Sequence, residues 1–372
     1  MMINMNAESN KNVRPGVALL VVLFIVMAIT ILSLGFVSRS DVELACGQNM
    51  LLRAQMDCLA ESGLEHAKGL VLNPQDVSAE YWTGGTGLQL VSGNNDYYDV
   101  MVSRDPNDHC NYNIDCDAYR LDGAEKIGLS RLRAELRLDP CIACWTGSNA
   151  TVWSQMTVNG DFYCGGTLTN SGVINGDAFA VGTIAGTGTV TGRQNESVAP
   201  SYPVAWPDIT IAGFQPIMDV NIPQNIPPQS FAGVCYSTGD VNMPGNVTIN
   251  GTLAINGNLT VSGLNNVITA EKNFPALLVG GQVLMKDGGS LVVNGLAQIG
   301  GPVTADLNPT IKPHIDVIGG LFLAGSGVTS DKIIVNITAA AEIASIEISL
   351  APGTSKRWGP AAGAFFRSVE RR

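Results

Sequence analysis

Apolar and polar positions divide the chain into parts with different periodicities. Val17 to Val37 carries no charge, and about 20 apolar residues match the hydrocarbon thickness of a bilayer, so a spanning helix is expected. From Leu52 to Leu70, apolar and small residues recur at steps of three and four, which places them on one helix face. Since no proline interrupts this stretch, the pattern predicts one helix from Val17 to about Val71 that stops at Asn73-Pro74.

A segment of strand-like alternation follows the helix. The stretches "NDYYDVMVSR" and "YNIDCDAYRL" alternate and are rich in β-formers, and "SRLRAELRLDP" is either a third strand or a short helix that ends at Pro140. Residues 38–140 are therefore expected to combine the amphipathic part of the helix with a small α+β unit.

The C-terminal half contains a repeat of 16 residues. "VNGDFYCGGTLTNSGV" (158–173) aligns with "INGDAFAVGTIAGTGT" (174–189), and a third pass begins at Val190. Repeats this short cannot bury their apolar faces alone, so they are expected to coil and stack as a solenoid. Glycine and asparagine supply the positive φ that the corners need.

A second block of the sequence also places glycines at regular intervals. In "VTINGTLAINGNLTVSG" (247–263), Asn250, Asn256 and Ser262 each precede a glycine at steps of six. The predicted inward positions are Val247, Ile249, Leu253, Ile255, Leu259 and Val261. The predicted architecture is a parallel β-helix, and the alternative is a β-sandwich with Asn-Gly hairpins.

The two blocks and the helix give a division of the whole chain. Between the blocks lies a proline-rich stretch, where proline excludes a central strand; Trp206, Phe214 and Phe231 favour a strap on the solenoid over a free linker. The tail "RWGPAAGAFFRSVERR" is a candidate cap for the last coil. The predicted parts are a leader (1–16), a transmembrane helix (17–37), the helix extension with the α+β unit (38–140), a first solenoid block (141–198), the linker or strap (199–233), and a second solenoid block with a C-terminal cap (234–372).

Charge and cysteine content narrow the class of protein. A net charge of -11 without a basic stripe argues against nucleic acid as a partner. Eight cysteines in a membrane-inserted chain favour an oxidising compartment. The candidates for structural disulfides are Cys110, Cys116, Cys141 and Cys144; Cys110 and Cys116 flank a possible loop, and the last two form a CxxC motif. A four-cysteine zinc site and redox chemistry are the less favoured alternatives.

Little in the sequence points to catalysis. Asp161 and Asp177 stack about 5 Å apart if the 16-residue period holds, which could suit calcium, but aspartates beside Asn-Gly are more often turn formers. The three histidines have no metal or triad spacing, and no GxSxG, HExxH or phosphate-loop motif occurs. We therefore expect no enzymatic activity, no cofactor and no metal.

The N-terminal region resembles a known family. "RPG", the apolar run and "LRAQMDCLAESGLEHA" (52–67) look like the N-terminal regions of PilX-class minor type IV pilins and K-type pseudopilins of type II secretion. The resemblance covers about residues 14–140. It implies that prepilin peptidase cuts after Gly16, that Val17 becomes the mature N-terminus, and that the helix packs with those of other pilin subunits.

Two positions depart from the family pattern. Most pilins carry glutamate at the fifth mature position, which is Val21 here; K-type pseudopilins also lack it and are placed at the tip. Pro15 precedes the cleavage glycine. In its turn chemistry the C-terminal half is similar to bactofilins, and this resemblance alone implies a right-handed coil.

These observations predict a function and an orientation. Lys11 and Arg14 precede the apolar run and only Arg39 closely follows it, which favours a cytoplasmic N-terminus in the inner membrane, with the bulk periplasmic or extracellular. The predicted function is a structural subunit of a type IV pilus or type II secretion-like filament, whose solenoid contacts a surface, a subunit or a substrate. The alternatives are a plain single-pass anchor and a membrane-anchored β-helix that binds or cleaves polysaccharide.

Overall fold

The computed structural model describes residues 15–72, 81–106, 110–200, 206, 209–271, 273–340, 346–349, 355–358 and 365–371. Within these residues it contains one α-helix, α1 (Pro15–Leu72), one 3-10 helix (Ile211–Ile217) and 29 strands in five sheets. The expected helix stop at Asn73-Pro74 lies outside the described residues. The single long helix confirms the prediction from the apolar pattern.

The second part of α1 packs on an antiparallel sheet. Its strands are β1 (Gly84–Leu88), β2 (Asp96–Arg104), β3 (Asn111–Asp122), β4 (Glu125–Asp139) and β29 (Phe365–Arg371), in the order β1-β2-β3-β4-β29. The apolar helix positions Met56, Ala60 and Ala67 are buried against it. The stretch "SRLRAELRLDP" forms a strand and not a helix, because its alternate residues Ala134, Leu136 and Leu138 bury one face.

The chain returns to this sheet at its C-terminal end. The tail was expected to cap the last coil of the solenoid, but β29 instead pairs antiparallel with β4, for example Phe366 with Leu138. The solenoid is therefore inserted between two neighbouring strands of one sheet. This pairing joins residues more than 200 positions apart, so no local sequence pattern indicates it.

The inserted part is a parallel β-solenoid, so the β-sandwich alternative is wrong. Each full coil has strands on up to three faces, and neighbouring coils pair in parallel. The strands of the first block are β5 (Ile142–Thr146), β6 (Ala150–Val152), β7 (Met156–Asn159), β8 (Asp161–Cys164), β9 (Leu168–Asn170), β10 (Val173–Asn175), β11 (Ala178–Ala180), β12 (Ile184–Gly186), β13 (Thr189–Val190) and β14 (Gln194–Asn195).

The second block continues the same architecture. Its strands are β15 (Val220–Asn221), β16 (Ser230–Ser237), β17 (Val241–Met243), β18 (Thr248–Ile255), β19 (Leu259–Val261), β20 (Asn266–Thr269), β21 (Leu277–Val279), β22 (Val283–Met285), β23 (Ser290–Ile299), β24 (Val303–Ala305), β25 (His314–Leu323) and β26 (Ile334–Ala339). A separate hairpin contains β27 (Ile346–Ser349) and β28 (Ser355–Trp358).

The predicted registers hold in both blocks. In the first block Val158 pairs with Ile174 and Ile174 with Val190, which is the period of 16. In the second block, the six predicted inward residues from Val247 to Val261 are all 0% exposed. They stack as apolar ladders inside the coils, which is why an alternating pattern at each coil suffices to specify them.

The spatial order of the coils differs from their order in the sequence. The longest path of paired strands runs β13-β10-β7-β26-β25-β23-β20-β18-β16-β15. The first block thus winds outward from the middle of the solenoid. The chain then passes to the opposite end at β15, and the second block winds back until β26 pairs with β7.

The proline-rich stretch forms a strap along the outside of the solenoid. Its residues Trp206, Ile209 and Phe214 pack on an apolar cluster that is separate from the interior ladders. The solenoid side of this cluster is an outward-facing column in register across neighbouring coils: Phe179, Tyr163, Trp145, Phe322, Gln298, Leu278, Ala254 and Tyr236. The strap covers this column and connects the two blocks.

Candidate functional site

The first part of α1 exposes apolar side chains on all sides. Among its described side chains, Leu19 is 72% exposed, Met27 50% and Phe36 68%. Further along, Val42, Leu44, Met50 and Leu51 remain 61–69% exposed. Large apolar surfaces rarely face water in monomeric proteins, and they mark sites that contact lipid or other protein. We define residues 19–51 as the exposed segment of α1.

The exposed segment is long and apolar enough to cross a membrane once. It differs from the rest of α1 because no strand of the described chain covers it, whereas the helix from Met56 onward lies on β2, β3 and β4. The change occurs near Leu52, whose side chain lies next to Gly128 of β4. The later part of the helix therefore lies in a protein core, whereas the exposed segment is suited to a second apolar medium.

The predicted processing residues lie at the start of this helix. Gly16 and Val17 are in the first turn of α1, while the leader before Pro15 lies outside the described residues. Val21, at the position where most pilins carry glutamate, is 52% exposed. The exposed segment has no acidic residue before Asp41, so its surface in the apolar part offers no carboxylate to a neighbouring chain.

A buried charge network joins the antiparallel sheet to the first block. Arg137 of β4 donates from Nη2 to Oδ1 of Asp161 at 2.6 Å, and these side chains are 8% and 0% exposed. Arg193 contacts Asp177 and donates from Nη2 to Oδ2 of Asp139 at 2.9 Å. The five residues come from the end of β4 and from one corner of three successive coils.

The aspartates of this network also hold the corners of the coils. Asp161 accepts hydrogen bonds from the backbone N–H of Cys141 and of Asp177, both at 2.8 Å. Asp177 in turn accepts one from the N–H of Arg193 at 2.8 Å. Each carboxylate therefore satisfies a corner amide of a neighbouring coil, which confirms the turn-forming role that the sequence favoured for these two residues.

The charges of the network set the pKa values of its carboxyl groups. Burial raises the pKa of Asp161 above its ordinary value, although Arg137 and the two amides favour the charged form. For Asp177 burial acts in the same direction, but the side chain and N–H of Arg193 outweigh it and hold the pKa below its ordinary value. Arg137 has a raised pKa because Asp161 outweighs the effect of burial.

Three carboxylates in this network are close enough to share an ion. Oxygen atoms of Asp139, Asp161 and Asp177 lie within 4.8 Å of one another. Two guanidinium groups already neutralise most of this charge, so the arrangement is that of a structural ion-pair network. Sequence analysis missed Arg137 and Arg193, although Arg193 follows Asp177 by one further period of 16.

Hydrogen bonds from a corner carboxylate to a backbone amide of the next coil also occur in the second block, but without buried arginines. Oδ1 of Asp240 accepts the N–H of Asn258 at 2.8 Å, and Oδ1 of Asp287 accepts the N–H of Ile311 at 2.6 Å. Both of these aspartates are exposed. Carboxylates thus recur at the corners of this solenoid, and among the described residues only those beside the antiparallel sheet are buried and paired with arginine.

The four candidate cysteines are not joined by disulfides in the structure. Cys110 immediately precedes β3 and Cys116 lies within it, so about 20 Å of extended chain separates them, well beyond disulfide reach. Cys141 and Cys144 are about 10 Å apart by the same rise, which excludes a bridge within the CxxC motif. All four side chains are 0% exposed.

The buried cysteines act in the structure as small apolar groups of the core. Burial raises the pKa of the Cys116 thiol to about 12, which disfavours the thiolate that redox chemistry and metal binding require. Among the described residues, the cysteines form no cluster with the geometry of a metal site. The structure therefore gives no support to the zinc alternative.

Comparison with known proteins gives a likeness among solved structures. No family model matches the chain, and no curated protein matches it. Among solved structures it is similar to the competence-associated pilin ComZ from Thermus thermophilus, with 12% identity and a TM-score of 0.25, over 86% of this chain and 97% of that chain. A TM-score this low does not establish a shared fold.

Proposed function

We propose that this protein is a structural subunit of a type IV pilus or a type II secretion-like filament, in the class of minor pilins or pseudopilins. The observation that carries the proposal is the division of α1. Residues 19–37 expose apolar side chains on all sides, and the helix from Met56 onward is packed on a sheet. Such a helix can leave lipid for a bundle of similar helices without any change in its own fold.

The sequence "RPG" directly before the apolar run supports processing by prepilin peptidase. We infer cleavage between Gly16 and Val17, which places the mature N-terminus two residues before the exposed segment. With Val21 in place of glutamate, the subunit has no carboxylate to pair with the N-terminal amine of a subunit ahead of it in the filament. It is then suited to the first position in a filament, at the tip. The leader would face the cytoplasm and the solenoid the other side of the inner membrane.

The solenoid is the displayed part of the subunit. Its attachment through both β4 and β29, together with the Arg137–Asp161 pair, fixes it to the sheet that packs on α1. A head attached at two points is held more rigidly relative to the helix than a head on a single linker would be. We infer that the head acts by contact and not by catalysis, since its buried carboxylates hold coil corners.

The mature N-terminus provides the test of this proposal. The full chain would be produced in a bacterial host with and without prepilin peptidase, and its N-terminal peptide identified by mass spectrometry. We expect Val17, free or methylated, as the first residue only when the peptidase is present. A chain that keeps Met1 in the presence of an active peptidase contradicts the proposal and leaves a plain membrane anchor.

A matched pair of variants separates processing from folding. Gly16→Leu alters the residue before the cleavage point and is expected to abolish removal of the leader. Gly35→Ala changes a glycine within the exposed segment, where an added Cβ meets nothing within 4 Å, so processing should proceed normally. Loss of processing in both variants would indicate a general defect of membrane insertion.

A further inference from the structure

The third face of the solenoid is interrupted where the two blocks meet. On the first face β26 pairs with β7, and on the second face β25 pairs with β5, so these sheets continue across the junction. On the third face the sheet β12-β9-β6 and the sheet β17-β19-β22-β24 are separate. Among the described residues of this face, the second block ends at Val328, which bridges to Val303.

A side-chain hydrogen bond connects the two blocks across this interruption. Trp153 donates from Nε1 to the carbonyl oxygen of Val328 at 2.9 Å, in place of a backbone ladder between β6 and the second block. A groove with a volume of about 310 Å³ remains above it. This volume lies at the lower end of the range of about 300–1,000 Å³ for small-molecule sites.

The walls of the groove are polar and uncharged. No described residue that lines the groove carries a charge. The polar lining residues are Asn149, Thr151, Thr167, Thr169, Ser326 and Thr329. Thr151 and Thr169 are register partners on β6 and β9, so their side chains repeat at the strand spacing of about 4.8 Å.

This combination of groups selects a class of ligand. Threonine and serine hydroxyls both donate and accept hydrogen bonds, as the hydroxyls of a sugar do. The indole of Trp153, already held by Val328, offers an apolar surface to the C–H face of a sugar ring. The absence of lysine and arginine among the lining residues removes the usual partners of phosphate, sulfate and uronate groups.

We propose that the groove at the block junction, between β6 and Val328, binds a neutral oligosaccharide. The proposal deepens the proposed function, on which it rests, because it assigns a partner class to the displayed head. The regular spacing of Thr151 and Thr169 suits a ligand with a short repeat along its length. Such a site would allow the subunit to bind uncharged glycans on a surface.

The test measures binding of defined oligosaccharides to the full chain in a sugar-free detergent. Maltohexaose, cellohexaose and chitohexaose would be titrated by isothermal calorimetry, with hexagalacturonate as the anionic comparison. At least one neutral probe is expected to bind with a dissociation constant on the order of 0.1–1 mM, as for a small polar site. The double variant T151V/T169V keeps the β-branched shape and should weaken that binding about tenfold or more.

Controls make the result specific to the groove. Thr189→Val makes the same change at an exposed threonine on β13, away from the groove, and should bind as the unmodified chain does. If T151V/T169V does not fold, as judged by circular dichroism, Thr329→Val on the opposite wall replaces it. The proposal is overturned if no neutral probe binds, if hexagalacturonate binds as tightly, or if the groove variant binds normally.

The outcomes also separate this proposal from the one on filament assembly. Binding is measured on purified protein and does not depend on cleavage after Gly16. Glycan binding with an unprocessed N-terminus would leave the groove proposal standing and contradict the filament proposal. A processed N-terminus with no binding of a neutral probe would do the reverse.

Discussion

The two solenoid blocks have the same kind of apolar interior but differ at the corners of their coils. In the first block, the coils that begin at β7 repeat every 16 residues, whereas the coil of β5 and β6 precedes its neighbour by 18 residues. The corner aspartates Asp161 and Asp177 of this block are 0% and 2% exposed. In the second block, the offset between paired residues ranges from 18, between β16 and β18, to 25, between β20 and β23. The interior ladders remain in register in both.

This difference shows which part of a solenoid has to be regular. Added residues of the second block lie outside the strands, for example at 306–313, where Leu307 and Ile311 are exposed and do not enter the apolar ladder. The corner residues Asp161, Asp177 and Arg193, which keep the period of 16, are those that contact the antiparallel sheet or each other through ion pairs. There each corner must place a carboxylate beside an arginine, and a changed coil length would move it out of reach.

Breaking the buried ion pair is expected to have the largest effect. Arg137→Ala leaves the carboxylate of Asp161 buried without its charged partner, which typically costs about 3–5 kcal/mol. The free energy of unfolding would be measured by urea denaturation of the full chain in detergent. Arg131→Ala is the control: Arg131 pairs with Asp117 on the same sheet, and these side chains are 55% and 31% exposed, so a smaller loss is expected. Equal losses would contradict the special role of the buried pair.

The second largest loss of stability is expected from removing an aromatic side chain with which the strap packs on the solenoid. Phe214 is 5% exposed in the 3-10 helix and packs on the second block, and deleting a buried phenylalanine side chain costs about 3 kcal/mol or more. Ile217→Ala in the same 3-10 helix is the matched control, since Ile217 is 51% exposed. Similar urea midpoints for the two variants would mean that the strap does not stabilise the second block.

A corner glycine of the second block gives a third test. Gly251 has φ +143°, which L side chains rarely adopt, and an added Cβ would meet the carbonyl oxygen of Gly233. Gly251→Ala should therefore cost about 1–3 kcal/mol. Gly239→Ala is the control, because nothing lies within 4 Å of its added Cβ. The comparison is made by thermal unfolding, and equal melting temperatures would show that the corner relaxes easily.

The smallest expected effect is a pH dependence at the first block. The pKa of Asp177 lies below its ordinary value when the protein is folded, so its stabilisation is complete above the unfolded value of about 3.9 and is lost as the pH falls through the folded value. Asp177→Asn should lower stability at pH 7 by about 1 kcal/mol. The gap in melting temperature between the variant and the unmodified chain should narrow at pH 3; an unchanged gap would contradict this linkage.

Local patterns were sufficient for several elements of the fold. The uncharged run from Val17 and the spacing of Met56 and Ala67 predicted α1 because helix periodicity and bilayer thickness act over short stretches of chain. The period of 16 predicted the first block, since each coil repeats the same corner residues. The role of Asp161 followed from its place beside Asn-Gly, although its arginine partner did not.

Other features depended on contacts between distant parts of the chain. A sequence-based reading of the cysteines assumed a loop between Cys110 and Cys116, but β2 and β4 hold this stretch as one extended strand. The groove at the block junction arises only because β26 meets β7. Neither the threonines that line the groove nor Trp153 differs in local pattern from other residues of the coils.

The sequence by itself determined which segments are helix, which are coils, and which side chains face inward, because these follow from periodicities of a few residues. Only the tertiary structure decided that the coils stack in an order different from the chain order, that the tail completes the first sheet beside β4, and that Arg137 meets Asp161. The physical reason is that parallel coil ends are interchangeable in local chemistry, so their order is set by the strap and by pairings between residues far apart in the chain.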